Sequence, residues 1–502
     1  MLNKRAKTAT ILAALVIVIS SLNSTTAAAQ TDAHQTSEPQ PKVKTLHPPP
    51  APTEAKIIEN EAVIRFKEKS LPPKKAMEDS ENVLRSAGKE VAQKFVAEVV
   101  ATYPWFGWIR LKLSHGDSFT SVAKALKSDT RVQYVLPNYE VTLHGHHRYP
   151  PPPNDRAWTE HFPAVYPAPY PNYSYLWGLD KIGMEEAWRV RPDGLVIAAV
   201  LDTGIDENHP DLSANNHGGS DICGSSSTPT DFDGHGTYVA SILASQGNNW
   251  VPNPTTQPES FLGVNPAAKI LTVKISCPVP NIIDAISGVR YAIQKGAAVI
   301  NGSWGLYGLP ATHPYIVDLK DEIVAGRNTT LYVASAGNEA RDLDKCYKPT
   351  MWPQMFNLKN LIVVAATTPY DTLLVVTPRI GPNPCSPTNN NFEGSNFGKK
   401  TVHLGAPGDT IWGALLTSQF GSSGNPMEDT VLVTSSTSAA APFVAGCATL
   451  LQAEKRAKLP TSRLSPSQLK SILMKWGDRR PKLAKIMSGS RLNCHSALLK
   501  VP

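Results

Sequence analysis

Three short segments of the chain carry side chains that could act together in nucleophilic catalysis. Asp202 ends an apolar run, His235 stands between two glycines, and Ser438 precedes a run of alanines. A serine hydroxyl becomes a good nucleophile when a neutral imidazole takes its proton and a carboxylate orients that imidazole. Each residue alone is most simply a turn, cap or structural residue. Together, in the order Asp…His…Ser, they indicate nucleophilic catalysis through the serine.

The elements that must position these residues follow Trp177. Short, near-continuous apolar runs alternate there with segments of helical pattern, which is typical of parallel strands covered on both faces. The predicted fold class is therefore α/β, with a mainly parallel central sheet flanked by helices. Ligands of such sheets bind at the carboxyl ends of the strands. The predicted strands are 195–201, 270–273, 297–300, 331–334 and 361–365, and the predicted helices are 236–245, 282–295 and 440–455.

Residues 57–143 have a different pattern and predict a small α+β domain. Their order of elements is β-α-β-β-α-β, which is that of a ferredoxin-like fold. No function follows from that order alone. The predicted strands are 62–66, 95–101, 108–113 and 132–136, and the predicted helices are 80–94 and 118–127.

Proline marks the segments between these domains. The chain has 43 prolines in 502 residues, about 8.6% against an ordinary ~5%. They are concentrated in two polar stretches, which predict Pro-rich linkers at residues 30–56 and 144–172. The catalytic domain is then expected over residues 173–502.

The first 29 residues have the pattern of a cleaved signal peptide. Basic residues precede an apolar run at 11–19, and three alanines at 27–29 suit a signal peptidase. The apolar run is far shorter than the ~20 residues that span a bilayer. We therefore expect a secreted, extracellular protein without a membrane span. Localisation in the periplasm or on the cell surface is an alternative that the sequence leaves open.

The net charge of +7 combines segments of opposite sign. Residues 455–502 carry 12 basic groups and one acidic group. This segment is most simply a solvated helix face, although it could also dock on an anionic surface. No motif for nucleic-acid binding accompanies it, so nucleic acid is not an expected partner.

The six cysteines have no metal-binding spacing, and export permits disulfides. Cys346 and Cys385 are the favoured pair. Cys447 lies in an apolar stretch, where a buried thiol and a disulfide are equally compatible with the sequence.

Eight ordered segments resemble the subtilisin-like serine peptidases (subtilases). The resemblance runs from about residue 177 to 499 and implies a subtilisin-like fold. It also implies a secreted serine endopeptidase that acts on protein or peptide substrates through an acyl-enzyme, is a monomer, and needs no cofactor for its chemistry. The segments are 200–206, 209–212, 234–237, 263–266, 299–305, 334–338, 406–408, and 437–438 with 442–446.

The resemblance assigns roles to individual residues. Asp202 orients, His235 is the general base and acid, Ser438 is the nucleophile, and Asn338 donates to the oxyanion. One strand edge is implied to pair with the substrate backbone: Ser303, Trp304 and Gly305. The opposite wall of the pocket for the residue before the cleaved bond is Ser335, Ala336 and Gly337, whose small size leaves room for a large apolar side chain.

Residues 57–143 resemble, more loosely, the inhibitory propeptides of this family, with the best match at 132–138. Such a domain assists folding and then occupies the cleft like a product. The implied protein is a zymogen that processes itself at a bond between residues 141 and 176. Histidines at 144, 146 and 147 are interpreted as part of a flexible linker, since no partner ligands for a metal accompany them.

The sequence departs from the family pattern at several positions. Ser436 stands where glycine is usual, and a positive φ there would add strain. This motivates the alternative of a catalytically impaired, peptide-binding protein. The segment 277–280 is short and rich in proline, which cannot donate to a ladder, so a second substrate-binding edge is not expected. Tyr238 replaces a common histidine and is interpreted as a structural change.

Calcium binding is the one metal site that the resemblance suggests. Asp211 matches a calcium ligand of the family, and the loop after the histidine helix offers Asn248 and Asn249. A calcium ion takes six to eight oxygen ligands. A structural calcium therefore stays open at this stage.

Overall fold

The computed structural model describes residues 55–67, 77–95, 97–114, 118–143, 176–189, 195–224, 226–247, 262–276, 279–346, 348–376, 385, 394–417 and 431–502. The predicted signal peptide, nearly all of the first linker and the whole of the second lie outside these ranges. So do the histidines at 144, 146 and 147 and the loop at 248–261.

Residues 55–143 form an N-terminal unit with all six predicted elements. The strands are β1 (Glu61–Phe66), β2 (Ala97–Tyr103), β3 (Trp108–Leu113) and β4 (Val132–Leu136), and the helices are α1 (Met77–Lys94) and α2 (Phe119–Leu126). The sheet is antiparallel in the order β2-β3-β1-β4. Its helices cover one face and enclose a core that includes Ile64, Leu84 and Ile109. Because successive strand residues face opposite ways, Val63 and Trp108 lie on the other face and join the core of the larger body.

The larger body is built on a nine-stranded sheet in the order β17-β18-β14-β13-β11-β9-β6-β8-β7. All its neighbours run parallel except β17 and β18, which confirms the prediction of a mainly parallel α/β sheet. The strands are β6 (Ile197–Asp202), β7 (Asn216–Asp221), β8 (Lys269–Lys274), β9 (Val299–Gly302), β11 (Leu331–Ser335), β13 (Leu361–Thr367), β14 (Leu404–Pro407), β17 (Asp478–Arg479) and β18 (Ser490–Arg491).

Helices cover both faces of this sheet and give it two separate cores. They are α3 (Trp177–Lys181), α4 (Met184–Arg189), α5 (His235–Ala244), α6 (Ile282–Gln294), α7 (Pro314–Ala325), α8 (Thr437–Lys458), α9 (Pro466–Lys475) and α10 (Cys494–Leu498). Helix α8 is buried from Thr437 to Glu454 and packs across β9, β11, β13 and β14. A helix that is apolar on all sides belongs in a core.

Five further strands of the described residues lie outside the large sheet. Strands β5 (Thr142–Leu143), β10 (Trp304–Tyr307) and β12 (Met351–Trp352) form a three-stranded sheet in the order β12-β10-β5. Strands β15 (Ile411–Ala414) and β16 (Val431–Thr434) pair with each other. Strand β5 is the end of the N-terminal unit, so the first of these sheets joins that unit to the larger body.

The predicted disulfide between Cys346 and Cys385 is confirmed. Cys447 is not a free thiol, because it is bonded to Cys494 and so ties α8 to α10. Cys223 is also disulfide-bonded.

Part of the basic C-terminal segment is used inside the fold. Lys455 and Lys458 donate to the carbonyl oxygens of the last two residues, and Arg491 pairs with Asp371 and Asp478. Several of the basic side chains of this segment are thus accounted for by contacts within the chain, and these contacts require no external partner. Within the described residues, no helix combines the length and the apolar character needed to cross a membrane.

Candidate active site

Asp202 and His235 form a buried hydrogen-bonded pair at the carboxyl end of β6. Asp202 is the last residue of that strand, and its Oδ1 lies 2.5 Å from His235 Nδ1. The backbone N–H of Thr203 donates to the same oxygen at 2.9 Å. Because a carboxylate can only accept, Nδ1 carries the proton, and Nε2 presents the lone pair that a general base needs.

The start of α5 brings His235 to this strand end. Gly234 has a φ of +102°, a conformation that favours glycine, and Asp231 accepts from the backbone N–H groups of Gly234 and Thr237. A Cβ on Gly236 would lie 2.0 Å from the carbonyl oxygen of Gly204. Only glycine therefore allows the helix to approach the strand closely enough for the Asp202 contact.

Burial and the neighbouring carboxylate shift the pKa of His235 in opposite directions. Burial alone would lower the pKa, but the charge of Asp202 and its hydrogen bond raise it, and the net direction is above the ordinary 6.5. The imidazolium is thus favoured more than in water, as suits a group that must take up a proton during the reaction.

Ser438 is held beside the end of the neighbouring strand, β9. Its Oγ donates to the carbonyl oxygen of Ser303 at 3.4 Å, and Ser303 Oγ donates back to the carbonyl oxygen of Ser438 at 3.3 Å. Pro442, four residues on, has no N–H to occupy that carbonyl as a helix normally would. Strands β6 and β9 are adjacent, and Val200 pairs with Asn301. Two residues further along, Asp202 and Ser303 therefore lie side by side at the carboxyl ends of the two strands.

Asn338 lies across the N-terminus of α8 from Ser438. Its Oδ1 accepts from the backbone N–H of Thr437 at 2.8 Å and from the Thr437 hydroxyl at 2.9 Å. That hydroxyl in turn accepts from the N–H of Gly337. Since the oxygen end of the amide is turned to Thr437, the NH₂ end is the part directed elsewhere. Ser438 is the second residue of α8, where backbone N–H groups have no partner within the helix.

Ser436 does not carry the backbone strain that the sequence suggested. Its φ is −163° and its ψ is 165°, which is extended backbone that any residue adopts. The serine instead caps α8, because its Oγ accepts from the N–H of Ala439 at 3.2 Å. The side chain is fully buried.

This geometry predicts a stability effect without loss of activity. Ser436→Ala removes the cap and should lower the free energy of unfolding by about 1 kcal/mol, whereas Ser436→Gly should cost only a few tenths. Thermal unfolding of both variants checks this. If glycine were the more stable residue by a clear margin, serine would be strained here after all.

The substrate edge predicted at residues 303–305 already pairs with a strand. Trp304 lies opposite Leu143 and Gly305 opposite Thr142, in antiparallel register. The end of the N-terminal unit therefore lies along β10 as an added strand, which is how an extended peptide is recognised by β-augmentation.

A second edge is also present, contrary to the sequence-based expectation. Val141 N–H donates to the carbonyl oxygen of Pro280, and Ile282 N–H donates to the carbonyl oxygen of Tyr139, both at 2.9 Å. Proline cannot donate, but here it only accepts, so its missing N–H does not matter. Residues 139–143 thus lie between two segments of the larger body.

Ser335, Ala336 and Gly337, which remain the predicted opposite wall, follow one another at the end of β11, and a residue that no sequence pattern indicated lies between them and β10. Gln354 is fully buried there, and its Nε2 donates to the carbonyl oxygens of Trp304 and Ser335 at 2.9 and 2.8 Å. No motif marks Gln354, because only the folded chain brings it to these strands.

The N-terminal unit is anchored to α6 and α7 by buried charges. Arg110 pairs with Glu61 of its own unit and with Asp284 of α6, and Tyr103 also donates to Asp284. Arg65 pairs with Asp318 of α7. Burial raises the pKa of Asp284, and the charge of Arg110 opposes that shift.

The subtilase family profile matches residues 193–483, more than half of the chain. The chain belongs to the subtilase family. Among curated relatives, thermitase of Thermoactinomyces vulgaris is 27% identical over 338 residues, which cover 65% of this chain and 99% of thermitase. A thermophilic serine proteinase of Bacillus sp. (strain AK1) is 28% identical over 406 residues, covering 80% and 79% of the two chains. This subtilase is thus a subtilisin-like serine endopeptidase.

Two solved structures share the fold of this subtilase. Fervidolysin from Fervidobacterium pennivorans, described as a keratinolytic enzyme related to subtilisin, gives a TM-score of 0.60 at 21% identity. The match covers 92% of this chain and 64% of fervidolysin. The epidermin leader peptide processing serine protease from Staphylococcus aureus gives a TM-score of 0.58 at 18% identity, covering 88% and 98%.

Two remaining sequence predictions concern residues near the histidine helix of the subtilase. Tyr238 is fully buried, and its hydroxyl donates to the carbonyl oxygen of Ile411 at 3.0 Å, which is a structural role. Asp211 is also buried. The described residues contain no group of three or more acidic, histidine or cysteine side chains that could hold a metal. Asn248 and Asn249 lie outside those residues, so a calcium site at Asp211 stays a prediction.

Proposed function

We propose that this chain is a secreted, self-processing zymogen of a serine endopeptidase that cleaves peptide bonds through an acyl-enzyme. The single observation that carries the proposal is the buried Asp202–His235 pair at one strand end, with Ser438 at the adjacent strand end. Three separate elements, β6, α5 and α8, converge to supply these side chains.

The proposed mechanism gives each side chain one task. His235 Nε2 takes the proton of Ser438 as its Oγ attacks the carbonyl carbon of the substrate, and later gives that proton to the leaving amine. Asp202 keeps the proton of His235 on Nδ1 and stabilises the imidazolium. A water molecule, activated by the same imidazole, then hydrolyses the acyl-enzyme.

Two donors near Ser438 fit the developing oxyanion. The backbone N–H of Ser438 belongs to the N-terminal end of α8, and Asn338 contacts that end through Thr437, so both lie where the helix dipole also favours negative charge. Fixed donors of this kind stabilise the tetrahedral intermediate because they need no reorganisation during the reaction.

We further propose that the N-terminal unit is an inhibitory propeptide. Its antiparallel sheet order supports a ferredoxin-like fold, and its last residues, 139–143, lie between both substrate edges as a product would. The catalytic groups would then be withheld from other substrates until the unit leaves.

The register of this tail predicts the bond that is processed. Leu143, at the end of the tail that the structure describes, lies opposite Trp304, the neighbour of Ser303, and Ser303 contacts Ser438. Cleavage is therefore expected between His144 and Gly145. Intact mass measurement of the released fragment checks its C-terminus, since later trimming changes only the mature N-terminus. A fragment that ends elsewhere would contradict the register, and labelling of Ser438 by a fluorophosphonate probe tests the proposed chemistry independently.

The raised pKa of His235 predicts the pH dependence of activity. The base must be neutral, and it becomes protonated as the pH falls through its pKa, so kcat/KM should fall on the acid side with a midpoint above about 6.5. Replacing Asp202 by asparagine removes the charge that raises the pKa and should move that midpoint down. A wild-type profile that is highest near pH 4 would contradict His235 as the base.

The alternative of a catalytically impaired, peptide-binding protein is no longer supported by the argument that suggested it. It rested on strain at Ser436, and the backbone there is extended. No other observation favours it. Retention of an uncleaved peptide by the purified protein would be its distinguishing result.

A further inference from the structure

The space between β10 and β11 is spanned by one glutamine side chain. Gln354 follows β12, is fully buried, and donates from Nε2 to both flanking strands, at Trp304 O and Ser335 O. Because a single NH₂ group reaches both carbonyl oxygens, it lies between the walls predicted to hold the side chain before the cleaved bond.

The other end of the same amide is an unused acceptor. Gln354 Oε1 is buried and has no hydrogen-bond partner among the described residues. Its orientation is fixed by the two carbonyl acceptors, since turning the amide over would set oxygen against oxygen. A buried acceptor without a donor is costly, and a donor on a bound side chain would remove that cost.

The predicted wall is tightly packed beside Gly337. A Cβ placed there would come within 2.6 Å of Met351 Cε and Asn396 Nδ2 and 2.8 Å of Glu339 Oε2. Met351 is fully buried, and Glu339 accepts from the hydroxyl of Tyr307. The space along the Cβ direction of Gly337 is therefore filled, so only glycine fits at this position of the wall.

We propose that Gln354 is a specificity-determining residue that selects, immediately before the cleaved bond, a side chain carrying an N–H or O–H donor. The inference rests on the proposed function, because it concerns the substrates of that same site. An aliphatic or aromatic side chain would leave Oε1 unpaired, whereas a polar side chain can donate to it.

The test uses the processed, secreted enzyme and chromogenic peptides Val-Thr-Leu-X-p-nitroanilide, whose first three residues copy the tail at 141–143. With X as His, Asn or Gln, kcat/KM should exceed that for X as Phe or Leu by at least about tenfold. In Gln354→Leu the acceptor is lost, and this ratio should fall to about one or below. Higher kcat/KM for Phe or Leu in the wild type would overturn the proposal.

A matched control separates selectivity from general damage. Gln452 is also buried, and its amide pairs only with the backbone of Leu464, away from the cleft. Gln452→Leu should leave the substrate ratio unchanged even if it lowers stability. An unchanged ratio in folded Gln354→Leu would also overturn the proposal. If Gln354→Leu does not fold, Gln354→Asn replaces it, because its shorter amide cannot reach both carbonyl oxygens. The substrate ratio should fall in Gln354→Asn as well, and the wild-type ratio remains an independent test.

The outcomes distinguish this inference from the proposed function. If a fluorophosphonate labels Ser438 but the preferred X is Phe or Leu, only the role of Gln354 fails. If Ser438 is not labelled and none of the peptides is cleaved, the proposed function fails first.

Discussion

Ser438→Ala should abolish turnover and leave the precursor uncleaved. Removing one member of a serine–histidine pair that acts as a unit lowers kcat by roughly 10⁶-fold. The cleft of the variant should still hold the tail, since the contacts of residues 139–143 are made by backbone groups and do not need the hydroxyl. Secretion of the variant, followed by intact mass and peptide hydrolysis assays, measures both effects.

Ser436→Ala is the matched control, because it changes the same atom two residues away. The Ser436→Ala precursor should still be processed and labelled by the fluorophosphonate, and only its free energy of unfolding should fall, because the helix cap is lost. Normal processing of Ser438→Ala by the purified protein itself would rule out Ser438 as the nucleophile.

Arg110→Met should release the N-terminal unit from the processed enzyme. Arg110 is 5% exposed and Asp284 is fully buried, so the variant leaves a carboxylate enclosed without its cation. Removing one partner of a buried pair costs about 3–5 kcal/mol, which is at least roughly 100-fold in affinity. The dissociation constant of the complex between the N-terminal unit and the enzyme should rise by the same factor, so the complex should dissociate at protein concentrations at which the wild-type complex stays intact.

The measurement is the rate of fluorophosphonate labelling over a dilution series of the processed protein. Arg85→Met is the control: Arg85 is 60% exposed on α1, and its ion pair with Glu81 is worth less than about 0.5 kcal/mol. If Arg110→Met and Arg85→Met remain inhibited over the same concentrations, the buried pair does not anchor the unit.

The sequence predicted those parts of the fold that local patterns encode. The apolar runs ending at Asp202 and Ser335 are near-continuous because both faces of a parallel sheet are covered, and they fall within a residue or two of β6 and β11. In the N-terminal unit, Trp108–Leu113 and Val132–Leu136 were predicted with their observed limits. The sequence also predicted Asp202, His235 and Ser438 as the reacting group, because a serine nucleophile needs a base and an orienting carboxylate.

Only the tertiary structure decided how atoms from distant segments face one another. Whether Ser436 is strained depends on its backbone angles, and whether Pro280 can serve a substrate edge depends on which of its groups faces the tail. Gln354 has no local signature, since its role comes from two strands that meet it only in the folded chain. The sequence by itself thus determined which residues could perform the chemistry. The packing of the sheet decided what reaches them, because hydrogen-bond direction and filled space are properties of non-local contacts.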